Sequence, residues 1–268
     1  GGKSFRTLFK KLDASKKQQK RLSELLGHST RSRNRGKIRL DFDSDKKKES
    51  RPQVVDLPRS FEPLWEASGF VAERALETIK RRGVTETSIV RYDIGVCTSG
   101  SFKNRIVIPS FNNDGLVNYF VARRLWEGMF LKYKNPPASR SSIIPYGSTV
   151  SFRFPVVVVE GIFDAIAVRR NALPLLGNRL NDPTKKALLS APEVCIALDA
   201  DMRETAIRMG QYLKREGVPT TVAKLPEGED PSSLGFARVW EHIDAAQPVQ
   251  TFDLLHHQLS PSLSHSFS

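Results

Sequence analysis

The sequence predicts an α/β fold in which a parallel sheet carries helices on both faces, preceded by a smaller, basic subdomain of mixed α and β structure. Three observations carry this expectation. Val156-Val157-Val158-Val159 is a continuous apolar run, the pattern of a strand buried on both faces. Helical spacing follows at Phe163, Ile166, Ala167 and Arg170, and further short apolar runs at 173–176, 194–198 and 220–223 alternate with helix-like stretches at about 182–190 and 203–216. Upstream, Ile106 to Pro109 and Val117 to Val121 are strand-forming runs separated by Asn112-Asn113-Asp114-Gly115, a turn signal that predicts a hairpin.

In chain order, Phe5, Leu8, Phe9 and Leu12 share the spacing of one helical face and predict a short amphipathic helix. A basic stretch up to about residue 52 reads as a linker, ended by Pro52 and Pro58. The globular body is expected to begin near residue 60. Ala72, Ala75, Leu76 and Ile79 fall on one face of a helix that basic residues and Gly83 terminate, and a helical hairpin is expected there. The tail after Gln258 lacks a core pattern and is expected to be disordered. The expected divisions are 1–58 (basic helix and linker), 59–150 (basic subdomain), 151–247 (α/β domain) and 248–268 (tail).

The 268 residues, 39% hydrophobic and 26% charged, suit a globular protein. No apolar run approaches the roughly 20 residues that span a bilayer, so no membrane segment is expected. Cys97 and Cys195 are too few for a disulfide framework or a four-thiolate zinc site, and no secretory leader is seen, so a reducing cytoplasm is expected. Of the net charge of +13, residues 1–51 carry +11, with 17 Lys/Arg against 6 Asp/Glu. Such a segment buries too little surface to order itself, yet releases counterions wherever it meets phosphates. It reads either as a polyanion-seeking arm or as a solvated linker.

The acids are placed more tellingly than the bases. Glu160 directly follows the valine run, and Asp199 and Asp201 follow Cys195-Ile196-Ala197-Leu198. Open parallel sheets collect ligands at the carboxyl ends of their strands, so all three are expected to converge there. In an extended segment Asp199 and Asp201, two residues apart, point to one side. Three carboxylates repel unless a cation neutralises them, and all-oxygen ligands suit Mg²⁺ (or Mn²⁺), which keeps water and takes substrate phosphates. Asp230 follows the last strand and can join the cluster; Asp164 lies one turn into a helix. The competing reading makes these aspartates helix N-caps.

With Val157-Val158-Val159-Glu160-Gly161-Ile162-Phe163-Asp164 and Leu198-Asp199-Ala200-Asp201 in view, the chain resembles the Toprim domain, a metal-binding fold shared by primases, topoisomerases and some nucleases. Asn104 to Pro109, Gly115-Leu116-Val117, Ala122-Arg123 and Lys132-Tyr133-Lys134-Asn135-Pro136 resemble the basic subdomain that precedes Toprim in DnaG-type bacterial and phage primases. Leu176-Gly177 and Leu225-Pro226 to Asp230-Pro231 match in order and spacing, and the resemblance spans about residues 70–235.

The resemblance implies DNA-directed synthesis of short RNA primers from ribonucleoside triphosphates on a single-stranded DNA template. It makes Glu160 a metal ligand and general base, Asp199 and Asp201 ligands, and Asp230 and Asp164 secondary ligands. Arg105, Arg123, Lys132, Tyr133 and Asn135 are expected to line the nucleic-acid and nucleotide side of the cleft. The chain departs from the family pattern at Val121-Ala122, where a glycine pair is usual, at Glu204, where many relatives have glycine, and at Ser232, where many have Asp.

Gly1 to Leu8 resembles the segment after the family's zinc ribbon, but no Cys or His set remains to bind zinc; His28 is alone, and His256-His257 are expected to face solvent. Either a ribbon has been cut away or another subunit chooses the template. No Gly-x-x-x-x-Gly-Lys-Ser/Thr phosphate loop is present, so a separate replicative helicase is expected as partner. The compact layout suggests a phage, and hence the cytoplasm of a bacterium or a phage-infected host. The rival readings are a Toprim nuclease and a non-catalytic DNA-binding module of replication or recombination.

Overall fold

Two sheets organise residues 52–250, the part of the chain that the computed structural model describes. The expected helix over 5–12, the basic stretch up to 51 and the tail from 251 lie outside it.

The first sheet is antiparallel, in the order β1 (Phe61–Pro63), β2 (Gly95–Cys97), β3 (Arg105–Phe111), β4 (Val117–Arg124). β3 and β4 form the expected hairpin, with Val107 opposite Ala122. Asn112 closes it by accepting the N–H groups of Asp114 (3.0 Å) and Leu116 (2.9 Å), while Gly115 takes the φ of 76° that the turn requires. Between β1 and β2 lie α1 (Phe70–Lys80), which buries Ala72, Ala75 and Ile79 as the spacing predicts, and the shorter α2 (Glu86–Arg91), capped by Thr85.

The boundary expected at residue 58 falls inside this body. Val55 donates its N–H to Val117 O (2.8 Å), and Val55 and Leu57 pack on Val107, Phe120 and Ala122. The two valines of the Val54-Val55 pair were hidden from a linker reading by the prolines on either side.

The second sheet has the order β6 (Ala172–Pro174), β5 (Val156–Val159), β7 (Val194–Ile196), β8 (Thr220–Val222), β9 (Gln247–Pro248). Its first four strands are parallel and β9 is antiparallel. All four valines of β5 are buried, and alternate residues feed opposite faces: Val157 and Val159 join one core, Val156 and Val158 the other. α3 (Ile162–Val168) and α6 (Pro231–Asp244) cover the first face, where the Trp240 indole N–H donates to Val168 O (2.9 Å). α4 (Asp182–Leu188) and α5 (Arg203–Arg215) cover the second.

α3 ends at Val168, before the expected Arg170, because Arg169 turns left-handed at φ 58°. The tail boundary at 248 is also displaced. Val249 is 1% exposed in the second core, where Gly210 of α5 leaves it room: a Cβ on Gly210 would stand 2.5 Å from Val249 Cγ2. No helix among the described residues is long and apolar enough to cross a membrane.

Candidate active site

The strand order dictates where ligands gather. The chain passes from β6 across β5 to β7, so the order of strand addition reverses between the parallel neighbours β5 and β7, and a crevice opens beyond their carboxyl ends. Glu160 is the first residue after β5, and Asp199 follows β7 by three. The Glu160 carbonyl accepts the Leu176 N–H (2.9 Å), and Ala197 N–H donates to Val158 O (2.8 Å), so both acidic loops are tied to the sheet.

These residues form the floor of a cleft of about 390 Å³, together with Asp164 and Asp230. The facing wall comes from the first sheet and its loops: Arg82, Arg123, Lys132, Tyr133, Asn135 and Arg140. Arg123 donates to the Tyr133 hydroxyl (2.6 Å) and lies over the rings of Tyr133 and Phe163, both at 5.3 Å; Arg82 lies over the same Phe163 ring at 5.5 Å. Burial and the neighbouring Arg123 lower the Arg82 pKa.

The floor is electrostatically unsettled. Burial raises the Asp199 pKa to about 6, reinforced by Glu160, Asp230 and Asp201 and opposed by Lys132. Glu160 is raised by burial, then by Asp201 and Asp230. The ion pairs among the described residues, Arg74–Glu77, Lys185–Asp182 and Arg208–Glu204, are all elsewhere, so no arginine or lysine directly neutralises the cleft acids. Asp199 Oδ1 is buried with no hydrogen-bond partner. A buried, unpartnered carboxylate oxygen costs several kcal/mol unless a cation or a proton meets it.

Asp164 and Asp230 have structural employment. Asp164, 8% exposed, accepts the N–H of Gly161 through Oδ2 (2.9 Å) and of Ser232 through Oδ1 (3.3 Å), which ties the start of α3 to the start of α6. Burial, then Asp230 and Asp199, push its pKa up to about 7. Gly161 permits this closeness, since a Cβ there would lie 2.9 Å from Asp164 Oδ2. Asp230 is the N-cap of α6, accepting the Ser233 N–H through Oδ1 (2.6 Å). The N-cap reading therefore describes Asp230, and Asp164 is the partner residue of a cap.

Two sequence expectations are corrected in geometry. Asp201 does not share a strand face with Asp199: β7 ends at Ile196 and residues Ala200–Met202 form a 3-10 turn, which leaves Asp201 exposed at the rim. Among the described residues, accordingly, no group of three His, Cys, Asp or Glu side chains is arranged to hold a metal ion. Arg105 does not line the cleft. It is 5% exposed, and its guanidinium donates to Ala122 O (3.4 Å) and Leu131 O (3.0 Å).

Asn135 lines the cleft but also accepts the Ala122 N–H (3.3 Å). The sequence reading missed Arg82, Arg140 and the Phe163 ring; Arg82 stood in view only as a helix end, and Arg140 carried no pattern.

A second, broader groove of about 1000 Å³ shares Arg82, Arg123, Lys132, Asp230 and Ser232 with the cleft and adds Arg74, Arg81, Arg124 and Trp126. Six cations against Glu127 and Asp230 make it strongly positive.

No protein-family model matches the chain. It is 27% identical over 185 residues to a DNA primase of Geobacillus stearothermophilus, covering 62% of this chain and 31% of that protein. A DNA primase of Staphylococcus aureus is 28% identical over 149 residues, 48% of this chain and 24% of that protein. A DnaG catalytic core superposes with a TM-score of 0.61 at 21% identity, over 73% of this chain and 80% of that one.

The fold is that of the DnaG primase catalytic core. The Escherichia coli primase catalytic core gives a TM-score of 0.58 at 20% identity, over 74% of this chain and 80% of its own. The zinc-binding and RNA polymerase domains of the Aquifex aeolicus primase give 0.56 at 23%, over 66% of this chain and 56% of that one. β5 to β9 with α3 to α6 form the parallel-sheet half of that fold, and Glu160 stands where the strand order reverses. The chain spans less than a third of the length of the curated primases it matches.

Proposed function

We propose that this chain catalyses DNA-directed synthesis of short RNA primers: nucleotidyl transfer from ribonucleoside triphosphates on a single-stranded DNA template, with Mg²⁺ (or Mn²⁺). The observation that carries the reading is the buried, unpartnered Asp199 Oδ1 beside Glu160 at the sheet's reversal point, facing a cationic wall.

The residues fit a hard divalent cation. The donors are carboxylate oxygens, and Mg²⁺ ordinarily takes only one or two carboxylates, completing its shell with water and substrate phosphates rather than a protein cage. The lack of a three-ligand cluster among the described residues is therefore compatible with it. Glu160 and Asp199 would hold the ion, with Asp201 at the rim and the remaining oxygen of Asp230 nearby. Such an ion would stabilise charge on the reacting phosphate and lower the pKa of the attacking hydroxyl. Asp164 acts in this reading as a positioning residue, because both its oxygens already hold backbone N–H groups.

Lys132, Arg123, Arg82 and Arg140 lie across the cleft and would bind the triphosphate, while the broader basic groove would take the template backbone. The Arg123–Tyr133 bond fixes that guanidinium in place, so little entropy is lost when phosphate arrives. A separate helicase as partner and the bacterial or phage-infected cytoplasm as location belong to the same reading.

The test is incubation with single-stranded template, labelled ribonucleotides and Mg²⁺. Labelled oligoribonucleotides are expected. Template shortening would mean a nuclease, and salt-sensitive binding without product a DNA-binding module. Glu160→Gln should abolish synthesis and leave template binding intact, since binding rests on cations; undiminished synthesis in that variant would overturn the assignment.

A further inference from the structure

Phe130 is 96% exposed, more than any other large apolar side chain among the described residues. A phenyl ring in water forgoes the burial that rings ordinarily contribute; what singles this one out is the bracing of the loop that presents it and the cations beside it. Arg124 donates through its guanidinium to Met129 O (2.5 Å) and through its backbone N–H to Lys132 O (3.0 Å), and the buried Arg105 donates to Leu131 O (3.0 Å). The carbonyls on both sides of Phe130 are thus clamped by arginines, and the ring projects between them.

The surroundings say what partner suits the ring. Lys132 and Tyr133, directly after the loop tip, line the cleft; Arg124 to Glu127, before it, line the basic groove. Trp126 on that stem stacks on Phe70, centroids 6.4 Å apart at 19°, and Phe70 is itself 73% exposed. Cations interleaved with exposed aromatic faces suit a partner that is both polyanionic and flat-faced, which is single-stranded nucleic acid. An apolar protein helix would match the ring but not the arginines and lysine around it.

We propose that Phe130 is a stacking platform for an unpaired base of a nucleic-acid strand at the mouth of the cleft, with Arg105 and Arg124 as the residues that position it. This rests on the primer-synthesis reading for the strand's role as template, but it concerns binding alone.

The test measures fluorescence anisotropy of the full 268-residue chain with a labelled single-stranded DNA oligonucleotide and with the same oligonucleotide carrying abasic sites. Phe130→Ala should weaken binding of the base-bearing strand about five- to hundred-fold. It should leave the abasic strand within about twofold, because phosphate contacts are untouched. Phe130→Trp should restore affinity, and circular dichroism of the Ala variant should match the parent, since the ring packs on nothing.

Equal affinity of parent and Phe130→Ala for the base-bearing strand, an equal loss on both strands, or no binding by the parent overturns the proposal. If the parent makes no oligoribonucleotides yet shows the base-dependent loss, the polymerase reading fails and the stacking platform stands. If it makes them and Phe130→Ala binds as the parent does, only the platform fails.

Discussion

Replacing Asp199 with Asn is expected to raise the melting temperature of the metal-free protein at pH 8, although the side chain is half-buried in the cleft. Burial and three neighbouring acids lift the Asp199 pKa from 3.8 to about 6. The folded protein then holds a proton that the unfolded chain releases between about pH 4 and 6. Stability therefore falls as pH rises through that window, and the full cost is present above it.

At about 1.4 kcal/mol per tenfold change in ionisation, the ceiling is about 3 kcal/mol. Asp199 is part-exposed, so water and salt reduce this to about 1 kcal/mol. Asn avoids the charge and forfeits no cap bond, because Asp199 makes none.

For a body of this size the gain is about 2–4 °C. Thermal melts in EDTA from pH 4 to 8 check it: the variant should match the parent near pH 4 and exceed it at pH 8. In Mg²⁺ the order should reverse, since the parent gains a ligand-linked stabilisation that the variant lacks. A variant less stable than the parent at pH 8 in EDTA, or equally stabilised by Mg²⁺, would refute the reasoning.

Asp164→Ala should destabilise by about 1–3 kcal/mol, because the N–H groups of Gly161 and Ser232 lose their acceptor. With its pKa near 7, the parent carboxyl carries a growing ionisation cost between about pH 4 and 7, so the gap in denaturant midpoint should be wider at pH 5 than at pH 8. Gly210→Ala should cost about 1–3 kcal/mol by driving a methyl against Val249, read as a lower melting temperature with the helical spectrum retained.

Much of the fold was legible because burial on both faces leaves a mark in sequence. The valine run of β5 and the Asn112–Gly115 turn each allow few structures, and a residue just past a parallel strand stands at the rim wherever the helices pack. The positions of Glu160 and Asp199 at that rim were therefore legible without a structure.

Asp201 was misplaced because the spacing argument assumed a chain still extended five residues beyond the true strand end. Arg105 was misread because sequence does not show which guanidiniums turn inward to brace carbonyls. Arg82 and Arg140 reach the cleft through tertiary packing, to which no local period points. α6 escaped notice because Gly235, at φ 72°, interrupts its helical backbone, and β9 is only two residues long.

In the proposed reading, Glu160 and Asp199 share a divalent cation at the point where the strand order of the parallel sheet reverses. A crystal soaked in Mn²⁺, with anomalous data collected at the manganese edge, addresses it directly. The expected result is a peak within coordination distance of a carboxylate oxygen of each residue, Asp199 Oδ1 among them. A cleft without that peak, or one in which Arg123 or Lys132 has swung across to pair with the two acids, would contradict the account.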